Sequence, residues 1–160
     1  MPPDCFRHST IYGGRQFATY DQGWVGWFCR QAIESKANPS RSPFTISGDG
    51  KQVRDLLHVS DAVRCYLAAF EHIERGRGEA FNIGGGMENS MSLLELLRYL
   101  EERLEVRLNF TRLPWRQSDQ RFFVADNSNA RELIGWTPVT AKEAGIESVL
   151  EWETQASKLP

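Results

Sequence analysis

GDGKQVRDLLHVSDA, residues 48–62, is the stretch on which the reading of the whole chain turns. A short apolar run, Phe44 to Ile46, leads into two glycines and a lysine, and Arg54 and Asp55 follow just ahead of a helical pattern. Glycines at such a turn let backbone N–H groups approach an anion, so the stretch looks like a phosphate site. Two phosphate motifs fail on inspection. A P-loop needs a glycine five positions before Gly50 and a hydroxyl after Lys51, but those positions hold Thr45 and Gln52. A dinucleotide turn needs glycines spaced GxGxxG; Gly84 and Gly86 fit, but the third position is Asn89. Gly84 to Gly86 therefore reads as a plain strand-to-helix turn. What remains is Arg54, whose guanidinium fork matches phosphate oxygens two at a time. Taken alone it reads as a surface partner of Asp55 or Asp61, a contact contributing under about 1 kcal/mol. A second arginine aimed at the same place would reverse that.

Outward from this stretch, strands alternate with helices, which indicates an α/β class. Residues 4–12 are β-leaning and end in the turn Gly13-Gly14. A helix is predicted over 22–35, with Trp24, Val25, Trp27, Phe28, Ala32 and Ile33 on one broad face. Residues 36–43 form a loop and 44–47 a short strand. The clearest helix is 59–73, where Val59, Ala62, Val63, Tyr66, Leu67, Phe70 and Ile73 recur at the spacing of a buried stripe. A strand at 80–83 follows, then a helix over 93–104 announced by the capping pair Ser92 and Glu95. Strands near 108–110 and 122–125 and a last helix over 141–153 complete the pattern. The chain shows no repeat, low-complexity segment or linker, and 1–160 reads as a single domain.

Composition narrows the function classes. The 160 residues are 41% hydrophobic and 25% charged with a net charge of −2, so nothing electrostatic favours DNA or RNA. No apolar run approaches the roughly 18 residues of a membrane span, and the N-terminus lacks a signal-peptide profile. Cys5, Cys29 and Cys65 are odd in number and widely spaced, and His8, His58 and His72 lack ligand spacing. No metal site or disulfide framework is indicated, and a reducing cytoplasm is the expected setting.

Five words in order, RHSTIYGGRQF, GDGKQVRDLLHVSDA, AFNIGGG, WRQSDQ and ADNSNARELIGWTP, resemble the C-terminal half of the extended short-chain dehydrogenase/reductases, the NAD-dependent nucleotide-sugar epimerases and dehydratases. The likeness runs from about residue 4 to residue 153. It implies a partial Rossmann-type fold: the last Rossmann elements plus the nucleotide-sugar-binding region, without the N-terminal dinucleotide-binding half. Within the family, GGRQFATYDQGWVGWF is most similar to the CDP-paratose (CDP-tyvelose) 2-epimerases, which invert C2 of a CDP-linked dideoxyhexose.

The resemblance supplies the second arginine. Arg54 and Arg116 match the family pair that clasps the substrate diphosphate, and Asp119 matches an aspartate that holds a ribose hydroxyl. Ser118 stands where the family often has glycine, which implies an altered turn. Ile46 and Ser47 lie on the strand that lines the base pocket. Thr10 approaches the diphosphate and sugar, Gln16 and Trp24 shape the sugar end, and His8 and Ser9 match positions near the nicotinamide, although histidine is not the usual residue there.

The family's Gly-rich NAD turn precedes anything in this sequence, and its catalytic Tyr-x-x-x-Lys is absent. Four places after Tyr12, Tyr20, Tyr66 and Tyr99 stand Gln16, Trp24, Phe70 and Arg103. Family epimerases oxidise the sugar with bound NAD beside that tyrosine and return the hydride to a transient ketone. A chain lacking both parts is expected to bind substrate without NAD and without turnover, and no catalytic residue is assigned. By family standards it is a fragment, whether a shortened gene or a natural half. An unpaired edge on CFRHSTIY predicts self-association or a complementary N-terminal half. A non-catalytic nucleotide-sugar-binding module and an interaction remnant are the competing expectations.

Overall fold

The computed structural model describes residues 5–117 and 119–156; Ser118 lies outside them, and so does the altered turn expected there. The elements in chain order are β1 (Cys5–His8), β2 (Thr10–Tyr12), α1 (Trp24–Ala37), β3 (Phe44–Ser47), β4 (Val53–His58), α2 (Val59–Glu71), α3 (Ile73–Gly76), β5 (Ala80–Ile83), β6 (Ser90–Ser92), α4 (Leu93–Leu104), β7 (Phe110–Leu113), β8 (Phe122–Phe123), α5 (Ser128–Ile134) and α6 (Lys142–Ala156). The predicted α/β class holds.

The β-leaning N-terminal segment is two strands that join different sheets. β1 pairs in parallel with β5, and β2 pairs in parallel with β4. The crossing happens at Ser9. Its N–H donates to the Ile83 carbonyl at 2.9 Å, and its hydroxyl donates to both the backbone oxygen and the carboxylate of Asp55. β4 is the hub of the second sheet: it pairs in parallel with β2, antiparallel with β6 and in parallel with β8, and Val53 and Arg54 have β6 and β8 on opposite edges. β3 and β7 form a separate parallel pair.

Arg54 sits just ahead of a helix as the sequence suggests, but on a strand, β4, that runs straight into α2 and was not expected. Leu56 and Leu57 are both buried, so this strand is covered on both faces and shows no alternation that sequence could reveal. Arg54 pairs with neither Asp55 nor Asp61. Asp61 is buried and accepts from Arg64 and from the backbone N–H groups of Val139 and Thr140. Asp55, also buried, accepts from Ser9, Gly86 N–H and Ala125 N–H, tying three loops to β4.

Two apolar clusters flank these sheets. One gathers α1, α4 and α6 against β3 and β4 around Val25, Phe28, Leu96, Leu100 and Ile146. The other gathers α2, α5, β1 and β5 around Cys65, Phe81, Ile83 and Trp136. The capping box at Ser92 and Glu95 is present as the sequence predicts, and α4 buries Leu93, Leu96, Leu97 and Leu100. The stripe on α2 is a correction. Val59, Val63, Tyr66, Leu67, Phe70 and Ile73 are exposed, and α2 packs instead through Ala62, Cys65 and Ala69. α5 was not foreseen, because its seven residues are too few to show a period.

Candidate functional site

A cavity of about 240 Å³ opens between the start of α1, the strand β3, the start of β4 and the segment carrying Arg116 and Asp119. Its walls include Thr10, Trp24, Ile46, Ser47, Arg54, Arg116 and Asp119, so seven of the eight substrate positions read from the sequence meet in one place.

Local backbone geometry brings them together. Gly48, at φ +72°, turns the chain out of β3, and a Cβ on it would sit 2.7 Å from the Trp115 ring. Only a residue without a side chain lets that ring close against the turn. The closure is pinned by Gly48 N–H donating to the Leu113 carbonyl at 3.0 Å, and it carries the next residue, Arg116, to the cavity mouth. On the opposite wall, Thr19 and Gln22 exchange two backbone hydrogen bonds of 2.9 and 3.2 Å, which makes a tight hairpin with Tyr20 and Asp21 at its tip.

Arg54 and Arg116 enter the cavity from different elements, and each already holds an aspartate. Arg54 Nη2 donates to Asp119 Oδ1 at 2.9 Å, with both side chains largely buried, while its Nη1 donates to the Val53 carbonyl. Arg116 lies 3.5 Å from the Asp21 carboxylate and donates to Ser47 Oγ at 3.3 Å and to the Tyr20 carbonyl at 3.4 Å. Its guanidinium sits 4.7 Å from the centre of the Tyr20 ring. Hydrogen bonding from Arg116 first, and from Ser47 and Thr45 after it, holds the Tyr20 phenol below the ordinary tyrosine value. Two cations facing one hollow can grip an anion with several oxygens, and the carboxylates now beside them occupy those positions.

The remaining wall is aromatic. Trp24 and Trp27 project one turn apart from α1, and Trp24 Nε1 donates to Thr10 Oγ1 at 3.4 Å. Trp27 Nε1 and Gln52 Oε1 are buried with no hydrogen-bond partner among the described residues. The Gln52 amide is oriented by Nε2 donating to the Ser47 carbonyl at 3.1 Å, which leaves Oε1 as a spare acceptor. Sequence reading missed Tyr20, Asp21, Trp27 and Gln52 as wall residues. They lie within stretches that mark the resemblance or, for Trp27, on the predicted helix face, but no pocket role was read for them.

Gln16 is the substrate position the structure places elsewhere. It lies behind Gly23, at the back of the α1 start, and its Nε2 reaches the Ile11 carbonyl at 3.4 Å. His8 and Ser9 line an adjoining hollow of about 350 Å³ that shares Thr10 and Arg54 with the first. His8 Nε2 is engaged by the Tyr66 hydroxyl at 2.6 Å, and Ser9 by Asp55. The Gly84–Gly86 turn does not offer itself to phosphate. Gly84 N–H donates to Asn127 Oδ1 at 3.1 Å and Gly86 N–H to Asp55 Oδ2 at 3.0 Å. Tyr99 and Arg103 both contact Glu147 Oε1, at 2.8 and 2.7 Å, and so tie α4 to α6. Among the described residues no group of three or more His, Cys, Asp or Glu is placed to hold a metal, and no helix is long and apolar enough to cross a membrane.

Against known proteins, the chain is 53% identical over 147 residues to CDP-paratose 2-epimerase of Salmonella typhi, covering 92% of this chain and 43% of that enzyme. UDP-glucose 4-epimerase of Thermotoga maritima, solved with UDP-glucose, superposes with a TM-score of 0.81 at 29% identity, over 96% of this chain and 46% of the other. UDP-glucuronic acid 4-epimerase of Bacillus cereus, solved with UDP-glucuronic acid and NAD, superposes with a TM-score of 0.80 at 28% identity, over 94% of this chain and 45% of the other. The chain therefore spans less than half the length of these relatives. Residues 1–84 match the NAD dependent epimerase/dehydratase family, and the chain belongs to that family as a partial, C-terminal piece of its α/β fold.

Proposed function

We propose that this chain is the substrate-binding half of an NAD-dependent nucleotide-sugar 2-epimerase, that its ligand is a nucleoside-diphosphate sugar carrying cytidine, and that alone it binds without turnover. The observation that carries this is the convergence of Arg54 and Arg116 on one cavity from positions 62 residues apart in sequence (116 − 54). Two guanidiniums suit a diphosphate, and the aromatic wall of Trp24 and Trp27 suits a sugar or a base. Cytidine rests on the 53% identity to a CDP-sugar enzyme.

In this reading Asp119 holds a ribose hydroxyl with the oxygen that Arg54 leaves free, and Ile46 and Ser47 border the base. Thr10 and Trp24 face the diphosphate and sugar. Gln16 supports the sugar end from behind Gly23. His8 and Ser9 face the nicotinamide side of the whole enzyme. NAD belongs to that whole enzyme. The Gly84 and Gly86 amides are taken by side chains and so are not available to its diphosphate. The three cysteines are free, which fits a cytoplasmic protein.

The same reading assigns a partner to the open face. Val63, Tyr66, Leu67 and Phe70 are exposed on α2, and β1 has a neighbour on one edge only among the described residues. Phe6 of β1 meets Tyr66 with ring centres 5.3 Å apart, so edge and stripe form one surface. A complementary N-terminal half or a second copy of the chain would cover it. An interaction remnant without ligand is the competing function, and the exposed stripe is the observation that favours it.

Calorimetric titration with CDP, UDP and NAD separates these readings. CDP is expected to bind, with Arg54→Ala and Arg116→Ala each weakening it by roughly ten- to a hundredfold, the equivalent of about 1.5–3 kcal/mol for a lost charge-assisted contact. A folded chain that binds none of the three is an interaction remnant.

A further inference from the structure

We propose that the Tyr20–Asp21 hairpin tip is a clasp that holds Arg116 at the mouth of the cavity and yields it to a diphosphate. Tyr20 and Asp21 are thereby positioning residues that set how tightly the site binds. The proposal rests on the nucleotide-sugar reading above and deepens it.

Among the described residues, each contact of Arg116 is one that an anion could replace or share. Asp21 is 79% exposed and its carboxylate is 3.5 Å away, so that ion pair is weak and easily exchanged. A diphosphate offers more oxygens and more charge than one carboxylate, and it competes for the same guanidinium. The Tyr20 ring differs in kind. It lies under the guanidinium at 4.7 Å and packs edge-on against Trp27 with centroids 6.1 Å apart, so it continues to support the arginine after Asp21 lets go. The tip is stiffened by the paired Thr19–Gln22 hydrogen bonds, which keeps Arg116 from swinging into solvent. Arg54 shows the contrast. Its Asp119 partner is 2.9 Å away, and both side chains are at most 23% exposed. One arginine is thus locked and the other is loosely held.

The clasp has a spectroscopic signature. Of the four tyrosines, Tyr20 is held below the ordinary value by Arg116, whereas Tyr12, Tyr66 and Tyr99 are pushed above it chiefly by burial. Ultraviolet titration of the intact chain is therefore expected to show one tyrosine ionising ahead of the rest. Arg116→Ala removes that early step, and saturating CDP moves it upward because the phosphate charge offsets the guanidinium that remains beside the phenol. Asp21→Asn is expected to bind CDP up to about fivefold more tightly, an advantage that shrinks at high salt, whereas Tyr20→Ala weakens binding. If the wild type and Arg116→Ala titrate alike while CDP still binds, the clasp is overturned and the nucleotide reading stands. If the early tyrosine is present but neither CDP nor inorganic pyrophosphate binds, the nucleotide reading falls, and the release of Arg116 falls with it.

Discussion

α2 and α4 carry apolar stripes of similar clarity and meet opposite fates. α4 buries Leu93, Leu96, Leu97 and Leu100 among α1, α6 and β3. α2 turns Val63, Tyr66, Leu67 and Phe70 to the outside and packs through small residues. The lesson is that a period marks a face that needs covering but does not say what covers it. In α4 the cover is in the same chain. In α2 only the narrow Ala62–Cys65–Ala69 strip finds its sheet, and the bulky strip beside it faces away.

The sharpest way to test that contrast is to substitute one residue in each stripe. Leu96→Ala is expected to cost about 3 kcal/mol in urea unfolding, within the 2–5 kcal/mol of a buried leucine, since it leaves a cavity in the main cluster. A loss below about 1 kcal/mol would mean that α4 is not the better packed helix. Next in size is the α4 cap. Ser92→Ala removes the acceptor for Glu95 N–H and is expected to cost about 1 kcal/mol by the same measurement.

The two caps also differ in their response to acid. α2 is capped by His58, whose Nδ1 accepts from Ser60 N–H at 3.4 Å. Burial lowers the His58 value from the ordinary 6.5, against a smaller opposing pull from Asp61. The unfolded chain then binds more protons just below pH 6.5, so the contribution of His58 is complete above that value and is lost as pH falls through the folded one. In α4, hydrogen bonds from Ser92 hold Glu95 below its ordinary 4.5, so that cap persists until more acidic conditions. Hydrogen exchange on acidification should therefore loosen the first turn of α2 before that of α4, and His58→Gln should abolish the difference. Simultaneous loss would show that the caps do not set the order.

The smallest expected change in stability comes from α2's outer strip. Phe70→Glu should alter unfolding by less than about 0.5 kcal/mol, since Phe70 is 77% exposed. The same substitution should shift sedimentation toward the monomer if a second copy covers this face. A chain that is monomeric both before and after the change leaves the complementary half as the partner to seek.

The two helices also show how much could be read without coordinates. The α4 cap is local, a serine and a glutamate three places apart, and it forms as written. α1, β3 and α6 carry enough period or flanking turn to be placed within a few residues. β4 hides because Leu56 and Leu57 are buried on opposite faces, and α5 hides because it is short. Within the cavity, Arg54, Arg116 and Asp119 were marked by words resembling a family. Tyr20, Trp27 and Gln52 stand inside such words but carried no role, because an aromatic or an amide on a wall looks in sequence like any other.

The sequence by itself determined the α/β alternation, the helix signals and the set of charged words that identify the family. These depend on neighbours in the chain, where backbone sterics, capping and period act over a few residues. Only the tertiary structure decided which aspartate each arginine holds, which stripe stays open and which glycine amides are already taken. Arg54 and Asp119 stand 65 residues apart, and nothing local couples them until β4 and the turn beyond β7 come together. The open stripe is equally non-local, since burial is a property of what else the chain brings near.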